Sequence, residues 1–108
     1  MTPQIELTLK NVEHDREVIE RLAQANVDNK LDRYLNMYGK HPDAEGKIKL
    51  VVEQSEKGKF AASLRAAFPG ENFYYSREDY TNLDDLVNHL FDHLKEDLSS
   101  RKVSSVHA

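Results

Sequence analysis

A chain of 108 residues fits one domain and can bury a single core without metal or disulfide staples. It contains no cysteine, which excludes disulfides and thiol chemistry and agrees with a reducing compartment. Its formal net charge of −4, from 15 Lys and Arg against 19 Asp and Glu, argues against a general nucleic-acid binder.

The start of the chain, Met1 to Glu6, has neither a basic region nor an apolar one, so it does not read as a signal peptide. No apolar run approaches the roughly 18 residues that span a bilayer. A soluble, cytoplasmic protein is expected.

Ile5 to Lys10 alternates apolar and polar residues, the mark of a half-buried strand with Ile5, Leu7 and Leu9 inward. Asp15 is placed to cap a helix, with Glu17 favourable in its first turn. That helix is predicted from about Arg16 to Tyr38. Val18, Leu22 and Ala25 form one apolar face, and Val27, Leu31, Leu35 and Tyr38 form a second set. The five-residue step from Leu22 to Val27 shifts the stripe and predicts a bend, bulge or frayed turn between Ala25 and Asn29. Gly39 and Pro42 are stop signals.

Lys47 to Gln54 is the second strand, with Ile48, Leu50 and Val52 inward. Ser55 to Gly58 is a hairpin connection. Lys59 to Phe68 is the third strand, with Phe60, Ala62, Leu64, Ala66 and Phe68 on one face. Pro69-Gly70-Glu71-Asn72 is a turn, and Phe73 to Arg77 is an aromatic fourth strand. A last helix starts near Thr81 or Asn82, with Leu83, Leu86, Val87, Leu90, Leu94 and Leu98 on one stripe. Its other face is acidic, with Lys95 against Asp84, Asp85, Asp92, Glu96 and Asp97. Val103 to Ala108 has no pattern and is expected to be a flexible tail to a single domain over 1–102.

The order β-α-β-β-β-α predicts an α+β two-layer sandwich. Three strands form an antiparallel meander, the first strand lies parallel to the second, and both helices cover one face of a four-stranded sheet.

At this point short strings of the chain resemble those of a family. Asn11-Val12-Glu13 lies between the first strand and helix. Lys30-Leu31-Asp32-Arg33-Tyr34 resembles a Lys-Leu-acid-polar-Tyr string near the end of that helix. Glu78-Asp79-Tyr80, then Leu83-Asp84, Leu86, Leu90 and Leu94, resembles a string opening the last helix. Together they are similar to the ribosome hibernation promoting factors and ribosome-associated inhibitors of bacteria and plastids. That resemblance implies a fold like a double-stranded-RNA-binding domain. It also implies binding to the small ribosomal subunit, in the channel of messenger and transfer RNA, with translation silenced under stress. Partners would then be 16S rRNA and ribosomal proteins.

The chain departs from the family in its last helix. Where the family carries Lys and Arg, this sequence has His89, Asp92 and Glu96. A carboxylate repels a phosphate, and sequence-independent affinity scales with the phosphates neutralised. Two readings therefore stand side by side. One is a ribosome-associated inhibitor. The other is a protein-interaction module of the same fold whose acidic helix face meets a basic protein.

Lys30, Arg33, Arg101 and Lys102 stand at family-like places and would contact phosphates, setting position without reading sequence. Otherwise they are solvated charges with helical partners. Lys47 and Lys49 share a strand face and are expected to form a basic strip with Lys59 and Arg65 on the open side of the sheet. The plainer reading of that strip is a polar face that discourages edge pairing. Tyr74, Tyr75 and Tyr80 are candidates for base stacking, or core residues with a hydroxyl at the rim.

His89 and His93 match the spacing of a His-Glu-x-x-His metalloprotease pair, but Leu90 stands where the general base belongs. They read as a solvated pair. There is no glycine-rich phosphate loop and no nucleophile–base arrangement, and Asp84 and Asp85 diverge by about 100° on a helix. No enzyme, metal, cofactor, small-molecule substrate or membrane partner is expected.

Overall fold

The computed structural model describes residues 3–36 and 45–107, with the backbone alone for 101–107. Strand β1 (Gln4–Lys10) pairs in parallel with β2 (Lys47–Gln54), and β3 (Phe60–Phe68) and β4 (Glu71–Tyr80) follow antiparallel, in the order β1-β2-β3-β4. Helices α1 (Arg16–Asn26), α2 (Asp32–Leu35) and α3 (Leu83–His107) complete the expected α+β sandwich.

The central strands follow the period-two rule. Ile48, Leu50, Val52, Leu64 and Ala66 are fully buried under the helices, while Lys47, Lys49 and Arg65 point to the open face and are exposed. Two glycines make the hairpins possible. Gly58 and Gly70 have φ of 82° and 80°, which an L-residue rarely adopts. Fourth-strand pairing extends well past Arg77, because β4 contains a bulge. Register shifts by one between Ala62↔Arg77 and Phe60↔Tyr80. Asp79 takes φ 62° there, a left-handed conformation that Asp tolerates better than most residues. The extra residue returns Tyr80 to the helix side.

Between β1 and β2 the helical stretch has three consecutive pieces. After a short 3₁₀ turn (Glu13–Asp15), α1 runs into a π turn (Val27–Leu31), which runs into α2. The π turn lies where the five-residue step predicted an irregularity. Buried Ile19, Ala23, Val27, Leu31 and Leu35 recur every four residues. At 3.6 residues per turn, four such steps drift by about 160°, off the sheet. The wider π turn takes up about one residue and brings the stripe back.

The expected face of α1 needs correction. Val18 is 49% exposed, Ala25 is exposed and Leu22 only half-buried. Ile19 and Ala23 carry the contact instead. Tyr38, Gly39 and Pro42 lie outside the described residues. Asp15 precedes α1 but makes no side-chain cap bond.

Helix α3 is capped by Asn82, whose Oδ1 accepts the Asp85 N–H at 3.0 Å. Its buried stripe is wider than expected and includes Phe91, among the largest fully buried side chains. The backbone of the helix runs to His107. No Gly or Pro follows Lys102 to stop it. Among the described residues no helix is long and apolar enough to cross a membrane.

Two polar contacts fix α3 in place. The Asn26 Nδ2 donates to Leu22 O and to Asn88 Oδ1, each at 2.9 Å, tying α1 to α3 at the start of the π turn. The Tyr75 hydroxyl donates to Asp97 Oδ2 at 2.5 Å, tying β4 to α3. Burial first, and then the Asp97 carboxylate, push that hydroxyl well above the ordinary tyrosine value.

Two predictions test this packing. Ile19→Ala should cost about 2–5 kcal/mol in urea unfolding, while its neighbour Val18→Ala stays within about 0.5 kcal/mol. Equal losses at both positions would contradict the corrected face. Because the folded Tyr75 is raised, its contribution to stability is complete below about pH 10 and is lost as pH rises through the folded value. The unfolding free energy should therefore fall above about pH 10, and Asp97→Asn should lessen that fall. An identical alkaline slope in the variant would uncouple the two groups.

Candidate functional site

The expected contact residues lie on two opposite faces. On the helix layer, the π turn and α2 carry Lys30 and Arg33 toward α3, where they meet Lys95. A shallow notch of about 310 Å³ is lined by Asp28, Asn29, Lys30, Asp32, Arg33, Tyr34 and Lys95. The Tyr34 ring is buried, with its hydroxyl at the rim. A hydrogen bond from Ser99 chiefly holds that hydroxyl below the ordinary tyrosine value. Burial opposes the shift, while Arg33 and the more distant positive charge of Lys95 add to it.

Lys30 is not a free cation. Its Nζ lies 2.8 Å from Asp92 Oδ1. A pair this exposed contributes about 0–1 kcal/mol, but it cancels an anion on α3. Arg33 and Lys95 have no ion pair among the described residues. The side chains of Arg101 and Lys102 lie outside the described residues; their backbone belongs to the last turns of α3.

The acidic face of α3 is less uniform than its sequence. Asp92 is paired with Lys30 and Asp97 accepts from Tyr75. Asp84 and Asp85 occupy the first turn, where carboxylates favour the helix dipole.

On the open face of the sheet, register places Glu6, Lys49, Arg65 and Tyr74 side by side across all four strands. Lys47 lies two residues from Lys49 and pairs with Glu6 at 3.3 Å. The Arg65 guanidinium sits 4.8 Å from the centre of the Tyr74 ring, which is 56% exposed. Such a cation–π pair at an exposed site is worth about 0.5–1 kcal/mol, and it leaves a flat, positively charged platform. Beside it, Val51, Ala61, Ser63 and Ser76 floor a trough of about 580 Å³, with Glu53 and Glu78 on its rim.

The expected basic strip is therefore corrected. Lys47, Lys49 and Arg65 form it, but Lys59 lies at the far end of the sheet. There it shares a second hollow with Lys10 and the acids Glu53, Glu56, Glu78 and Asp79. The meeting of Arg65 with Tyr74 was missed, although a signal existed. A two-residue turn at Pro69-Gly70 pairs Phe68 with Glu71, and counting back three places sets Arg65 opposite Tyr74. The part played by Lys95 had no local signal, because it depends on how α3 packs on α2.

The other tyrosines divide as strand alternation and the bulge dictate. Tyr75 and Tyr80 face the helix layer and are half-buried. They rest against His93 and His89, with ring centres 5.7 and 6.1 Å apart. The two histidines are therefore held by neighbours and are not the solvated pair that their spacing suggested. Among the described residues no group of three or more His, Cys, Asp or Glu is arranged to hold a metal.

No family model matches the chain, and no curated protein matches it in sequence. Solved structures do match its fold. The N-terminal domain of protein Y from Thermus thermophilus superposes with a TM-score of 0.67 at 21% identity, covering 88% of this chain and 94% of that one. A ribosomal subunit interface protein from Coxiella burnetii gives a TM-score of 0.67 at 16% identity, covering 93% of this chain and 98% of that one. At these identities the likeness establishes a shared fold across nearly the whole of each chain.

Proposed function

We propose that this protein is a ribosome-associated translation inhibitor that occupies the messenger and transfer RNA channel of the small subunit and silences translation under stress. The observation that carries this reading is the full-length fold match to a ribosomal subunit interface protein, over 93% of this chain and 98% of that one. The action would be steric, with a folded domain standing where RNA would pass and no chemistry of its own.

The charge distribution supports the same reading. Acidic α3 was the main objection, and two of its five carboxylates are engaged within the fold. That also weakens the competing reading, in which a continuous acidic face recruits a basic protein. The candidate cations then fall into two groups on opposite faces. On the helix layer Arg33 and Lys95 lie beside Lys30, whose charge must leave Asp92 to meet a phosphate, and on the open sheet Lys49 and Arg65 lie beside Lys47, which must likewise leave Glu6. A ligand enclosed in a channel is touched from both sides, whereas one lying on a flat surface is touched from one. Arg101 and Lys102 belong to the proposed contacts on the strength of the sequence resemblance alone.

Sedimentation with 30S and 70S particles at low and moderate salt tests the reading. Co-sedimentation that weakens as salt rises is expected. Two double variants, Lys30→Glu with Arg33→Glu and Lys47→Glu with Lys49→Glu, should each lower affinity and flatten the logarithmic salt dependence by about 2. Loss from only one pair would place the domain on a surface and not in a channel. Failure to sediment at low salt would remove the ribosome as partner and return attention to a basic protein.

A further inference from the structure

His89 and His93 lie one turn apart on α3, and their Nε2 atoms approach to 3.2 Å. Both rings are held in place. His93 stacks on Tyr75 at an interplanar angle of 22°, His89 leans on Tyr80, and the two imidazoles meet edge to face at 83°. Tyr75 is itself fixed by its bond to Asp97. The two ring nitrogens are therefore held close together on an ordered scaffold.

The protonation pattern at that point follows from a third neighbour. Arg77 Nη2 lies 2.9 Å from His93 Nε2. A guanidinium has donors only, so His93 Nε2 presents its lone pair and the proton of the neutral ring sits on Nδ1. His89 Nε2 lies 3.2 Å from the same atom. That lone pair is what a metal cation would take over from Arg77.

We propose that His89 and His93 form a two-histidine site for a divalent transition-metal ion of the zinc type. With metal–nitrogen bonds of about 2.0–2.1 Å, nitrogens this far apart subtend an angle of about 100–106°, close to tetrahedral. Imidazole suits zinc, copper and nickel. In the metal-bound form both neutral rings carry their proton on Nδ1, and the exposed Arg77 side chain swings outward. Asp97 and Asp92 are engaged elsewhere, so water or a donor from a partner completes the coordination shell. Leu90 is buried at the position of a metalloprotease base, which makes this a binding site and not a hydrolytic one. An ion here would span one turn of α3 and stabilise the folded chain by mass action.

Titrating zinc chloride into the untagged full chain at neutral pH, followed by calorimetry and thermal unfolding, tests the site. One ion per chain and a rise in Tm are expected. His89→Gln and His93→Gln should each weaken binding at least tenfold, whereas His14→Gln, at an exposed histidine, should leave it unchanged. Arg77→Ala should tighten binding several-fold by removing the competing donor, a gain that misfolding cannot imitate. Binding that survives both histidine substitutions, no saturation at millimolar zinc, or weaker binding in Arg77→Ala would each overturn the proposal.

Discussion

The fold depends on keeping one helical stripe over the sheet for longer than an α-helix allows. Ile19, Ala23, Val27, Leu31 and Leu35 repeat every four residues and are all buried. A uniform α-helix would rotate the last of them toward solvent. The π turn at Val27–Leu31 removes that drift, at the cost of a less regular hydrogen-bond ladder. Asn26, at the junction, is 4% exposed, and its Oδ1 has no hydrogen-bond partner among the described residues. An unpaired buried carbonyl is unfavourable by about 1–3 kcal/mol. The bond from its Nδ2 to Asn88 sets the register of α1 on α3 in return. The same turn carries Lys30 to Asp92 and Arg33 to the Tyr34 rim, so the backbone irregularity positions the helix-face cations as well as the core.

Electrostatics on α3 illustrate why a charge count is a poor guide to a surface. Five acids lie on the helix from Asp84 to Asp97. Position in the first turn accounts for two and local partners account for two more. What remains to an approaching polyanion is set by Glu96 against Arg33 and Lys95. The open sheet presents a different pattern, with Lys49 and Arg65 beside an exposed aromatic ring. Phosphate attraction and ring stacking are the two sequence-independent ways to hold an RNA strand, and the open sheet carries the means for both.

Much of the sandwich was legible because alternation in β2 and β3 has only two solutions, and one of them buries lysines. The errors arose where one residue changes the phase. In α1, Val18 and Ile19 are adjacent, so either can begin a stripe. Choosing Val18 led to Leu22 and Ala25 and missed Ile19 and Ala23. In β4, the bulge at Asp79 reverses the faces of the residues after it, which a strand expected to end at Arg77 does not anticipate. Phe91 was passed over because a stripe drawn through Leu90 and Leu94 is narrower than the real one. For the candidate site, residue types were legible and their grouping was not. Lys30 with Asp92, and Arg77 with His93, are separated in sequence by most of a domain or by a strand–helix connection.

The sheet edges narrow the ways this domain can meet a partner. A free edge strand invites pairing with another chain unless something blunts it. On β4 the bulge twists the end of the strand, and Arg77, Glu78 and Asp79 place charges of both signs along it. On β1, Glu6 and Lys10 do the same beside the Lys47 ion pair. Strand addition is therefore disfavoured at both edges. That leaves the faces, which carry the grouped cations, the Arg65–Tyr74 platform and the Tyr34 notch. Contact with a partner is therefore expected through those two faces, on which basic and acidic side chains are interspersed.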